Sequence, residues 1–258
     1  MRLIASFNGR AAFVLGLLIC ALAFAASAQA ENYVALGDSY ASGVGSGGTV
    51  LNSSCDRRKS AYPYLISTAR ADNLTFAACS GATTTDVMNN QISSVTANTN
   101  VVTVQIGGND IGFASMIVNC TLGNCVSQLS NVQNTIKTTL PAKLDTVYSG
   151  IKARAPLAKV IVVGYPDPAQ GKTCLSALGI SSAESAGITT TAGVLRDTIK
   201  ATATAEGFTF ADAIPSFTGH GVCASSPWLN GFALSSSAYH PNANGHKLGF
   251  TPLVGGLF

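Results

Sequence analysis

The chain has 258 residues, of which 47% are hydrophobic and only 10% charged, with a formal net charge of +3. That balance excludes the basic footprint of a nucleic-acid binder, since no basic cluster exceeds Arg57-Arg58-Lys59. The chain opens with Arg2 and Arg10, an apolar run over 11–26 and the small-residue sequence Ala28-Gln29-Ala30. This is the pattern of a secretory signal over residues 1–30, cleaved before Glu31. Its apolar core is short for a membrane span, which needs about 20 residues. Loss of Arg2 and Arg10 with the signal lowers the net charge to +1 and leaves residues 31–258, a length suited to one α/β domain with a large core. The exported protein is expected to be soluble and extracellular, to act as a monomer, and to need no cofactor, nucleic acid or stable membrane insertion.

The first element after the signal is Tyr33-Val34-Ala35-Leu36, a short apolar run of the kind buried on both faces of a parallel sheet. Gly37 and Asp38 break it, which leaves Ser39 at the carboxyl edge of the strand, where open α/β sheets place their ligands. Gly43-Val44-Gly45-Ser46-Gly47-Gly48 has the spacing of a dinucleotide fingerprint, but Cys55 and the basic cluster follow it where a helix is required. It reads as a glycine loop beside the site. Further on, strand-like runs fall at 74–78, 101–106, 159–164 and 208–211, and segments of helical length at 61–71, 85–97, 126–154 and 183–206. This alternation predicts a five-stranded parallel sheet in a three-layer α/β/α sandwich. Three stretches read as irregular, 112–125, 167–182 and 215–237; each holds cysteine, and all are expected to rim one pocket. Asn242 reads as the N-cap of a last helix.

A serine hydroxyl is a weak nucleophile until a base takes its proton, and the chain offers only His220, His240 and His246. His240 stands in Tyr239-His240-Pro241-Asn242-Ala243-Asn244-Gly245-His246. Gly81 stands in Cys79-Ser80-Gly81-Ala82-Thr83 and Asn109 in Ile106-Gly107-Gly108-Asn109-Asp110. With the Ser39 block these make four spaced motifs that resemble those of the SGNH (GDSL) hydrolases, esterases and lipases named for Ser, Gly, Asn and His. The resemblance covers nearly the whole exported chain and implies a flavodoxin-like strand order. It also implies Ser39 as nucleophile, His240 as general base, and an oxyanion hole made by the backbone N–H groups of Ser39 and Gly81 with the side-chain amide of Asn109. No cofactor and no metal enter that chemistry.

The histidine block departs from the broader family, which has an aspartate three residues before the histidine where this chain has Ser237. Gly219-His220-Gly221-Val222-Cys223 and Pro227-Trp228-Leu229-Asn230 are similar to a secreted actinobacterial-type branch that works with a Ser-His dyad. By that resemblance a backbone oxygen near Ala238 orients His240. His220 and His246 read as structural, and Asp38 and Asp110 as caps of turns or helices.

Cys20 falls within the signal, and the six other cysteines, Cys55, Cys79, Cys120, Cys125, Cys174 and Cys223, imply three disulfides with fifteen possible pairings. No spacing is C-x-x-C, which argues against a zinc site. The resemblance implies sequential pairing: Cys55 with Cys79, Cys120 with Cys125, Cys174 with Cys223. For the substrate, Phe113, Met116, Ile117 and Val118, with Trp228, Leu229 and Phe232, are apolar residues near the site blocks and suit the acyl chain of a lipid or short-to-medium ester. They also suit plain cover for the sheet. Two other readings are a carbohydrate acetylesterase and a secreted binding module that keeps the fold without turnover.

Overall fold

The computed structural model describes residues 30–258; the predicted signal, apart from Ala30, lies outside them, as does Cys20. Among the described residues, seven strands form: β1 (Asn32–Gly37), β2 (Val50–Asn52), β3 (Arg57–Arg58), β4 (Asn73–Phe76), β5 (Val101–Gln105), β6 (Lys159–Val163) and β7 (Thr209–Ala211). The main sheet is parallel throughout, in the order β4-β1-β5-β6-β7, and β2 and β3 make a separate antiparallel pair. Counted along the main sheet alone, that order is the flavodoxin-like 2-1-3-4-5. Tyr33 to Gly37 and all of β5 are buried, so both sheet faces are covered.

The cover comes from helices α1 (Ser39–Ser42), α2 (Tyr62–Arg70), α3 (Thr84–Asp86), α4 (Phe113–Leu122), α5 (Val126–Thr138), α6 (Leu140–Arg154), α7 (Ser182–Ala205), α8 (Ala213–Ser216) and α9 (Thr251–Gly255). α5, α6 and α7 pack on one another, and α2 packs on α9. Tyr33 shows what the α9 layer buries: its ring meets Phe258 edge-on at 5.0 Å and its hydroxyl lies 2.8 Å from that of Thr103. Among the described residues, no helix is long and apolar enough to cross a membrane.

Three segments differ from the expectation, each for a physical reason. Residues 112–125 are mostly helix α4, because Phe113, Met116, Ile117 and Cys120 recur at helical spacing and bury one stripe in the core. The segment 126–154 is two helices broken at Thr139, ahead of Pro141, a residue that suits the start of a helix and not its interior. The segment 85–97 does not run as one α-helix. It passes from α3 into a wide turn over Val87–Gln91 and a tight one over Ile92–Ser94. Gln91 is drawn inward there, accepting from the Gly37 N–H at 2.8 Å and donating to the Gly37 carbonyl at 2.9 Å. The β2–β3 hairpin had no alternating pattern to announce it.

The disulfides join Cys55 to Cys79, Cys120 to Cys125 and Cys174 to Cys223. The first ties the hairpin to the block that holds Gly81, where the Ser80 N–H also donates to the Cys55 carbonyl at 3.0 Å. Glu184 stands beside Cys120 and Cys125, but its carboxylate accepts from the Cys125 N–H at 2.9 Å and the two sulfurs are bonded to each other.

Candidate active site

The strand ends place the site. β1 stops at Gly37, Asp38 caps α1 by accepting from the Tyr40 N–H at 2.9 Å, and Ser39 becomes the first helical residue. Ser39 Oγ lies 2.7 Å from His240 Nε2, although 201 positions separate them in the chain. On the other side of the ring, His240 Nδ1 lies 2.9 Å from the Ala238 carbonyl. A carbonyl can only accept, so Nδ1 carries the hydrogen and Nε2 offers its lone pair to the serine. Both residues are 7% exposed, and burial holds the His240 pKa below the ordinary 6.5 even though the Ala238 contact favours the charged form. The imidazole is therefore neutral at pH 7.

The bend that aims this carbonyl is made by Tyr239, which sits in the left-handed region at φ 59°. Its carbonyl accepts from the Tyr40 hydroxyl at 2.7 Å, and its own hydroxyl lies 2.8 Å from that of Thr121. Ser237, in the position of the family's usual acid, is turned to Ser235 at 2.7 Å. Gly45 of the glycine loop lies against the same block. A Cβ there would sit 2.6 Å from Asn230 Nδ2, so the loop is packed against the histidine segment.

Gly81 and Asn109 reach the same cleft. Gly81 takes φ 80°, a conformation that favours glycine, and turns its backbone to the open site. Asn109 follows β5 and donates through Nδ2 to the Ala82 carbonyl at 2.9 Å, which leaves one amide hydrogen for a ligand. Among the described residues, the N–H groups of Ser39 and Gly81 have no acceptor in the protein. The cleft holds about 450 Å³ and is lined by Ser39, Gly81, Asn109, Ala238 and His240, with Ala114 and Val118 of α4 and Ser235 and Ser236 opposite.

Residues 35–248 match the GDSL-like Lipase/Acylhydrolase family. The chain belongs to this family. It is 40% identical over 237 residues to lipase 1 of Streptomyces coelicolor, covering 89% of this chain and 87% of that one. It is 41% identical over 233 residues to the lipase of Streptomyces rimosus, covering 88% and 86%. In three dimensions it is similar to the crystal structure of the extracellular lipase from Streptomyces rimosus, with TM-score 0.85, 39% identity and coverage of 89% of this chain and 100% of the other. Phospholipase A1 from Streptomyces albidoflavus gives TM-score 0.84 and 37% identity, again covering 89% and 100%. This GDSL-like chain is a carboxylic ester hydrolase.

Other residues singled out in the sequence take different places in this GDSL-like fold. His220 stacks on Trp228 at 3.7 Å with its Nδ1 2.8 Å from the Ser226 carbonyl. Asp110 accepts from the backbone and hydroxyl of Thr84 and pairs with Lys143. Asn242 caps the last helical segment, accepting from Asn244 and Gly245. Of the apolar residues considered for the acyl chain, only Val118 lines the cleft; Phe113, Met116, Ile117 and Leu229 are buried in the core, and Trp228 packs edge-on to Phe217. Helical spacing explains why: once α4 forms, its apolar stripe must face inward. Asp38 is more than a cap, since its second oxygen accepts from the Tyr165 hydroxyl.

His246 is fully buried, accepting from the Tyr62 N–H at 3.2 Å, and burial, reinforced by His240, pushes its pKa down to about 3. The unfolded chain takes a proton near 6.5 that the native ring refuses, so this contribution to stability is full above pH 6.5 and is lost as the pH falls toward 3. The destabilisation caused by His246→Gln is therefore expected to shrink between pH 6.5 and pH 4, by at most about 1.4 kcal/mol per pH unit in urea titrations. A pH-independent penalty would place the residue's role in packing alone.

Proposed function

We propose that this ester hydrolase works through an acyl-enzyme on Ser39. His240 Nε2 takes the Ser39 proton as Oγ attacks the ester carbonyl, and the oxyanion that forms is received by the Ser39 and Gly81 N–H groups and Asn109 Nδ2. The imidazolium then gives its proton to the leaving alcohol. Water repeats the sequence on the acyl-enzyme, with His240 again as base, and releases the acid. Ala238 does the orienting work that a carboxylate does elsewhere in the family. The observation that carries this reading is the 2.7 Å contact between Ser39 Oγ and a histidine whose other nitrogen is held at 2.9 Å by an acceptor-only carbonyl.

Lipid and other acyl esters are the substrate class, supported by the lipase names of relatives at about 40% identity. The cleft joins α4 to the segment before His240, and both carry exposed leucines: Leu122 ends α4 and Leu234, 92% exposed, precedes the lining residue Ser235. Among the described residues the lining itself carries no carboxylate, lysine or arginine, and Ala114 and Val118 with these nearby leucines suit an acyl chain. The protein acts outside the cell as a monomer, after removal of residues 1–30. A series of chromogenic acyl esters tests the substrate: kcat/KM is expected to peak above acetyl. A peak at acetyl would point to a carbohydrate acetylesterase, and no turnover along the series to a binding module.

A further inference from the structure

Behind the Ser39–His240 pair lies a chain of buried polar groups that the acyl-transfer steps leave unused. Asp38 is 1% exposed. Its Oδ1 accepts from the Tyr40 N–H at 2.9 Å and its Oδ2 from the Tyr165 hydroxyl. The same phenol oxygen accepts from the Gly108 N–H at 3.1 Å. Tyr165 is 3% exposed, follows the end of β6 and packs its ring edge-on to Tyr40 at 5.1 Å. It also closes on Gly108, where a Cβ would stand 3.1 Å from the ring.

The two partners of this phenol are each one peptide bond from a proposed oxyanion donor. Asp38 precedes Ser39, whose N–H is one donor, and Gly108 precedes Asn109, whose side-chain amide is another. The strands beneath are joined by the sheet, and the Asp38 N–H donates to the Gln105 carbonyl at 3.0 Å. Past Gln105, Tyr165 is a buried strut that holds both turns at once. The geometry points to Tyr165 as a positioning residue for ester hydrolysis: its phenol, set between the Asp38 carboxylate and the Gly108 N–H, fixes the Ser39 and Asn109 donors relative to each other.

The inference rests on the assignment of Ser39, Gly81 and Asn109 proposed above. An oxyanion hole works because its donors do not rearrange as charge develops. Slack between two of them weakens binding of the transition state more than of the neutral ester, which lowers kcat and spares KM. The bond also has an electrostatic signature. Burial lifts the Asp38 pKa to about 7 while the Tyr165 hydroxyl opposes that rise. The titratable groups around this carboxylate are Tyr165, Tyr40, Tyr62 and Asp110, the last paired with Lys143. Without the phenol, the ionised carboxylate loses a donor, so the loss is felt most at high pH.

Tyr165→Phe is expected to lower kcat on a chromogenic ester by roughly 10- to 100-fold, with KM within about twofold of the parent. Its urea midpoint should fall further below the parent's at pH 8 than at pH 5. Asp38→Asn provides a second route if the first variant folds poorly: an amide that accepts from the Tyr40 N–H turns its Nδ2 toward the phenol, which can then only accept and loses the acceptor for its own hydrogen. It is expected to lose kcat in the same way, and the double variant to lose no more than the worse single one. Unchanged kcat in folded Tyr165→Phe, a stability loss independent of pH, or additive effects in the double variant would each overturn the inference. Ser39→Ala separates the two levels: if it abolishes turnover while Tyr165→Phe does not slow it, only the strut is wrong, and if Ser39→Ala stays active both assignments fall.

Discussion

Ser39→Ala and His240→Ala are each expected to cut kcat by on the order of 10⁴- to 10⁶-fold while leaving the protein folded, and the double variant to be little worse than either. The reason is that the two side chains act as one unit. Among the described residues the hydroxyl has no other partner to take its proton, and the imidazole is placed to receive it by the Ala238 carbonyl. Residual turnover would come from the oxyanion donors and from binding. Because burial lowers the His240 pKa, the base is neutral down to below pH 6.5, so the acid limb of kcat/KM should fall below that value. Activity is lost as the pH drops through the His240 pKa, since a protonated base cannot accept from Ser39. An organophosphonate should label Ser39 in the parent protein and fail to label Ser39→Ala. Labelling at another serine, or turnover within tenfold of the parent in either variant, would remove the dyad from the reaction.

Local signals in the sequence make most of this candidate site legible. The run Val34-Ala35-Leu36, cut by Gly37 and Asp38, announces a buried strand and an exposed edge because both events depend on neighbouring residues only. The three other motifs lie at strand ends or in a loop of similar chemical character. Their convergence is a matter of topology: β4 and β5 flank β1, which brings the turns bearing Gly81 and Asn109 to the edge where Ser39 sits. What stayed hidden was of two kinds. The stripe of α4 reads as rim in sequence because a short helix opened by glycine, with no N-cap side chain, carries the signals of a loop. Tyr165 and Gln91 act through single long-range bonds, to Asp38 and Gly108 in one case and to Gly37 in the other, and such bonds leave no periodicity behind. The position of Tyr165, just past the end of β6, was the one available hint.

Asn109→Ala is expected to lower kcat by roughly 10²- to 10³-fold with little change in KM, the usual consequence of removing one oxyanion donor. The structure makes the expected cost larger than that of the missing donor alone. Asn109 Nδ2 also binds the Ala82 carbonyl at 2.9 Å, one residue past Gly81, so the side chain proposed as one donor also steadies the segment proposed to supply another. Loss of that bond should lower stability by about 1 kcal/mol, which thermal or urea denaturation will read separately from kcat. Asn109→Asp separates electrostatics from shape. It keeps the size of the side chain but turns an acceptor and a negative charge toward both the Ala82 carbonyl and the incipient oxyanion. Above the pKa of the new carboxyl it is therefore expected to lose more kcat than Asn109→Ala, and to recover part of the difference as the pH falls and the carboxyl regains a hydrogen to donate. Equal losses in the two variants at every pH would mean that Asn109 shapes the cleft without stabilising charge.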